Sequence, residues 1–296
     1  IKGGVVSFAN GVIELAGSGD GLVIGPDTVL QLSGADVIGA GNLTVATGAV
    51  MRLQAGSLGG SGARTVNGTL QWTGGAIQGG QLITLGNSRL TTSNVKQLTD
   101  ARWDNNDALL IDEGSLSVEG ANALLTNRGE RQLGGGAGLL GNGRVLNVRN
   151  ARLTINSPGV SSIGARLENE GSIFIRTGML QLERNFTNNG TIDLGADNEG
   201  GIRAGDIDVL ANGRLGRLVG SGFIDVEDAG IAFTNAGLIA PGNSPGTITI
   251  KGDFVQTSTG RLAVEIGGTR PGVEFDLLDI SGRASLAGTI ELDLLN

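Results

Sequence analysis

The chain keeps restarting one short phrase. Leu167-x-Asn169-x-Gly171-x-Ile173 returns as Phe186-x-Asn188-x-Gly190-x-Ile192 and again as Phe233-x-Asn235-x-Gly237-x-Ile239. Leu125-x-Asn127-x-Gly129 is a shorter copy upstream, and Asn67-Gly68 and Asn212-Gly213 mark related turns. The full copies begin at residues 167, 186 and 233, so the second interval is close to two periods of about 23, with Asn212-Gly213 near its midpoint. A repeat of this length, made of strands and turns without a helical period, implies stacked coils rather than one globular core.

Composition narrows the chemistry. Of 296 residues, 54 are Gly and 5 are Pro, with no Cys, His or Tyr. The Gly-X-Y period of collagen is absent, and short alternating runs such as Leu43-Thr44-Val45 and Thr247-Ile248-Thr249-Ile250 can bury one face. Without His or Cys there is no Ser-His-Asp or Cys-His nucleophile, and no His- or Cys-ligated metal. The net charge of -8, with no basic stripe, argues against nucleic acid as a partner. No apolar run is long enough to span a membrane, so no membrane insertion by this segment is expected. The start at Ile1 and the stop at Asn296 after an alternating stretch read as the ends of a piece of something longer.

Glycines interrupt every window in which a helix could be sought. Strands of four to six residues closed by Gly or Asn, three to a coil, predict an all-β, right-handed parallel β-helix with about 19–23 residues per coil. Roughly eleven coils spaced about 4.8 Å apart would make a rod about 50 Å long. The Gly and Asn residues are expected at corners, where they tolerate a left-handed backbone. The asparagines Asn127, Asn169, Asn188 and Asn235 are also expected to stack as a hydrogen-bonded ladder, with Gly129, Gly171, Gly190 and Gly237 in the turns beside them. Trp103-Asp104-Asn105-Asn106-Asp107 reads as a polar loop, and Trp72 as packing at a corner. Two regions are expected: regular coils over 1–240, then a β-rich segment over 241–296 that forms either wider final coils or a cap.

A family resemblance covers most of the chain and is sharpest over 240–292. Pro241-Gly242-Asn243-Ser244-Pro245-Gly246-Thr247-Ile248-Thr249-Ile250, then Gly252-Asp253-Phe254, resembles the repeat found in passenger regions of bacterial autotransporters and related Gram-negative surface proteins. Gly260-Arg261-Leu262-Ala263-Val264-Glu265-Ile266 and Phe275-Asp276-Leu277-Leu278-Asp279-Ile280 fit the same pattern. The resemblance implies a secreted or outer-surface β-helix with adhesion, biofilm or matrix roles. It carries no catalytic residues, because the shared motifs are structural.

Few residues present themselves for specific chemistry. Asp206 and Asp208 alternate with Ile207 and Val209, and Asp225 and Glu227 alternate with Ile224 and Val226 nineteen residues later. If one coil separates them, the pairs stack into an outward acidic ladder, extended by Asp193, that is either a weak Ca²⁺ site or a solvated face balanced by Arg203, Arg214 and Arg217. Gly17-Ser18-Gly19-Asp20-Gly21-Leu22 is a lone copy of a Ca²⁺-roll pattern that would need tandem repetition. Asp276 with Asp279, and Asp112 with Glu113, are acid pairs in sequence only, which leaves a polysaccharide lyase or hydrolase on this scaffold as the alternative.

The expected function is therefore structural, with no catalytic site and no cofactor. Expected partners are glycans or proteins of host or bacterial surfaces, together with other copies stacked end to end through unpaired coil edges.

Overall fold

A computed structural model describes residues 1–17, 21–242 and 245–295. The centre of the Gly17–Leu22 pattern and part of the Pro241–Gly246 stretch lie outside those residues. No helix occurs among the described residues, and the chain builds parallel sheets stacked as a β-solenoid of about 12 turns. It divides into two compact units, Ile1–Leu146 and Asn147–Asn296.

In the first unit, alternation sends every second residue inward, where it sits on its equivalent one turn away. One interior column runs Leu32, Leu53, Trp72, Leu90, Ile111, Leu133. A second, on the other sheet, runs Leu22, Leu43, Arg64, Leu82, Trp103, Leu125, so a turn takes 18 to 22 residues. Trp103 belongs to the strand Arg102–Asn105, not to a loop. The polarity of Asp104 and Asn106 conceals this, because only the alternate positions Trp103 and Asn105 face inward. Trp72 lies in the strand Thr69–Trp72, and the two buried indoles meet at 5.8 Å between ring centroids, tilted by 52°. A buried aromatic pair of this kind contributes about 1 kcal/mol beyond its area.

The second unit repeats the arrangement. Its longest aliphatic column is Leu153, Ile173, Ile192, Leu218, Ile239, Leu262, Ile290. Burying each of these side chains from Leu153 to Leu262 contributes about 1.5–3 kcal/mol relative to exposure, whereas Ile290 at the end of the column is exposed. The stacking continues past residue 240. Phe254 pairs with Ala284 and Leu262 with Ile290, in parallel, so the last turns widen to 28–30 residues. Part of the extra length is the Gly267–Phe275 excursion, closed by an antiparallel bridge between Ile266 and Phe275.

Candidate functional site: an interior amide ladder and the outer faces

The repeated asparagines close their strands at an inward position. In the second unit the Asn147 amide donates to Asn169 at 2.7 Å, Asn169 to Asn188 at 2.7 Å, and Asn188 to Asn212 at 2.9 Å. Asn212 donates to Asn235 at 2.9 Å, Asn235 to Gln256 at 3.3 Å, and Gln256 to the Ala287 carbonyl at 2.8 Å. All six are buried. The donors point the same way along the stack, so each amide polarises the next. Each second N–H reaches a turn carbonyl where one is in range, as from Asn188 to Gly190 at 2.9 Å.

The first unit carries a polar column of its own. Its equivalent column reads Ile24, Val45, Val66, Thr84, Asn105, Asn127, changing from aliphatic to polar partway. Thr84 takes the indole N–H of Trp103 at 3.0 Å and donates to Asn105 at 3.1 Å, and Asn105 donates to Asn127 at 3.3 Å. Asn105 closes a strand rather than lying in the polar loop expected over Trp103–Asp107, and no Asn-x-Gly phrase marks it.

The glycines of the phrase serve a different purpose from the one expected. A Cβ on Gly190 would lie 2.1 Å from the Gly171 carbonyl oxygen, and one on Gly237 would lie 2.2 Å from that of Gly213. Gly171 and Gly129 are equally crowded, with carbonyls at 2.4 and 2.5 Å. None of the four has a left-handed φ. They are required for close approach of successive turns, not for backbone freedom.

Three cations lie inside the first unit, which the sequence does not reveal. Arg64 occupies a leucine column and donates to the Gly41 and Gly39 carbonyls at 2.7 and 3.3 Å, and also to Gly59. Lys96 donates to the Thr92 carbonyl at 2.6 Å. Burial lowers both from their ordinary values, with Glu113 opposing the shift at Lys96. Arg131 follows Leu109 in an interior column, and its Nε and one terminal nitrogen have no hydrogen-bond partner. Burial brings its guanidinium down to about 9. A buried cation without a counter-ion costs stability.

The outward acids do not form a ladder. Asp206 and Asp208 fall in a bend between the strands Gly200–Ala204 and Leu210–Asn212, where Val209 is exposed. Register, not sequence distance, sets the column: Asp225 lies opposite Arg203 on one side and Lys251 on the other. The turn there is 22 residues, not 19, so charges alternate along the stack. Arg203 donates to Asp225 at 3.2 and 3.3 Å. Glu227 is exposed just past the strand, and Asp193 stacks between Phe174 and Val219. No group of three His, Cys, Asp or Glu among the described residues could hold a metal ion.

The sequence-adjacent acid pairs also separate by role. Asp112 accepts from Arg89 Nε at 2.6 Å on the surface. Asp279 is exposed, whereas Asp276 is buried and accepts the backbone N–H groups of Gly246 and Glu265 at 2.8 and 2.9 Å. Burial pushes the Asp276 carboxyl up, against those two hydrogen bonds. Asp276 borders an open cleft of about 280 Å³ with Val264, Glu265, Glu291 and Asp293. Glu265 Oε2 is buried there without a hydrogen-bond partner. Arg261 reaches Glu291 with two bonds of 2.7 Å at the surface.

These features define a parallel β-solenoid protein whose interior is held by an axial amide ladder. Compared with family models, curated proteins and solved structures, the chain matches none of them.

Proposed function

We propose that this chain is a structural, non-enzymatic β-helical element of a secreted or outer-surface bacterial protein, acting in adhesion or in an extracellular matrix. The observation that carries this reading is the amide ladder. Its polar side chains are consumed in joining one turn to the next, and the acids at 193, 206, 208, 225 and 227 are dispersed or paired rather than stacked. A stack of this kind presents long, repetitive outer faces, which suits binding to glycans or proteins of cell surfaces. The resemblance to autotransporter passenger repeats, sharpest over 240–292, supports the extracellular setting.

Beads coated with the folded chain test this directly. Retention on bacterial or epithelial surfaces, or bead clustering, is expected above that of beads coated with an unrelated soluble protein. Inert beads would sink the proposal.

A second reading rests on the cleft around Asp276. A carboxyl raised by burial beside another carboxylate, Glu265, is the pairing used in acid–base cleavage of glycosidic bonds. Release of reducing ends from polysaccharide, lost in Asp276→Asn, would establish that reading in place of the first.

A further inference from the structure

Both tryptophans and the phenylalanines Phe186, Phe233 and Phe254 are buried, whereas Phe174 and Phe223 face outward and are half-buried. Phe223 is closed on both sides: its ring fills the space above Gly201, and Lys251 Nζ stands 4.5 Å from its centroid. Phe174 differs. Arg152 covers it at 4.3 Å, but Arg152 does not border the cleft of about 300 Å³ that opens beside the ring. That cleft is bordered by Phe174, Arg176, Asp193, Gly195, Ala196 and Asp197.

We propose that this cleft binds one ring of a neutral glycan. A pyranose offers an apolar face of C–H groups and a rim of hydroxyls that both donate and accept. The Phe174 ring supplies the apolar contact. The Asp193 carboxylate is held by the Gly195 N–H at 2.9 Å on Oδ1, which orients Oδ2 as a fixed acceptor. The side chains of Arg176 and Asp197 are exposed and enter no hydrogen bond or ion pair among the described residues, so a donor fork and a second acceptor stand ready at the rim. Glycine at 195 and alanine at 196 keep the floor low. Volume places the cleft at the small end of ligand sites, of order 300 Å³ and upward, which fits a single ring. Two carboxylates against one guanidinium disfavour uronates, sulfates and phosphates.

The proposal does not depend on the surface role above: a glycan bound by a chain whose beads stay inert would overturn that role and leave this site standing. The full chain is titrated calorimetrically with cellotriose, laminaritriose, chitotriose, mannotriose and trigalacturonate. At least one neutral trisaccharide is expected to bind. Phe174→Leu, which keeps apolar bulk without the ring, and Asp197→Asn should each weaken it about tenfold, and Phe174→Trp should retain it. Both positions are on the surface, and circular dichroism of each variant verifies the fold. No binding by any neutral member, binding of trigalacturonate alone, or binding undiminished by either of the weakening substitutions would overturn the proposal.

Discussion

Asn188 donates its side-chain N–H to Asn212 at 2.9 Å across 24 residues, and accepts from Asn169 at 2.7 Å across only 19. The contact is conserved in space while the chain between its partners changes length. Variation in the turns is absorbed at the corners, so the strands and their inward amides stay in register.

Replacing Asn188 by Ala removes the middle of this run. It leaves the Asn169 amide and the Asn212 carbonyl oxygen buried without their ladder partner, which costs about 2–4 kcal/mol. Urea unfolding followed by circular dichroism should show an earlier transition. Tryptophan fluorescence should move less, because both indoles, Trp72 and Trp103, lie in the other compact unit. Equal shifts by both probes would contradict the local character of the ladder.

Gly190→Ala places a methyl group 2.1 Å from the Gly171 carbonyl oxygen, and only movement of backbone can relieve it. A loss of at least about 2 kcal/mol is expected, as for overpacking in a rigid interior. Gly230→Ala is the comparison, since it meets no atom within 4 Å but carries a φ of 65°. Its cost should be near the left-handed backbone penalty of about 1 kcal/mol. Thermal melts that rank the two in the opposite order would refute the close-approach account.

Burial brings the Arg131 guanidinium down to about 9 in the folded chain, well below its ordinary value. Between those values the unfolded chain binds more protons, so stability rises as pH climbs through that window, and below it the buried charge exacts its full cost. Arg64 and Lys96 shift in the same direction. Arg131→Met should therefore stabilise the chain near neutral pH by about 1–3 kcal/mol. It should also flatten the rise in stability that sets in near pH 9. A destabilised, pH-indifferent variant would show that the guanidinium has a partner in solution.

Asp225→Ala breaks a partly buried pair with Arg203 and removes the negative charge between Arg203 and Lys251. A loss of about 1–2 kcal/mol is expected, since Asp225 is more buried than a surface partner. The double change Asp206→Asn with Asp208→Asn should leave the melting temperature within about 2 °C of the parent. Millimolar calcium should shift neither protein. A calcium-dependent rise in the parent that the double variant loses would restore the acidic ladder as a metal site.

Much of the architecture was legible because a solenoid writes its period into the chain. Asn127, Asn169, Asn188 and Asn235 recur at turn spacing, and the alternation around them marks inward positions. Asn105 was hidden because its neighbours Asp104 and Asn106 made a strand look like a loop. The acids at 206–208 were misplaced for a related reason. A distance of 19 residues suggests one turn, but the turn there is 22 residues long, and Arg203 rather than an acid stands beside Asp225. The buried cations are illegible, because nothing in the residues beside Arg64 or Arg131 distinguishes an inward Arg from an outward one.

What the chain determines by itself is the class of fold: period-two alternation and a recurrent Asn-x-Gly phrase suffice to demand parallel stacking with amides inside. What only the tertiary structure decides is register. Corners of different length shift which residues become neighbours, and a shift of a few residues turns an acidic column into an alternating one. It also decides which aromatic rings face out. Trp72 and Trp103 are enclosed while Phe174 borders a cleft, because inside and outside are set by the neighbouring turns, and these lie some twenty residues away in the chain.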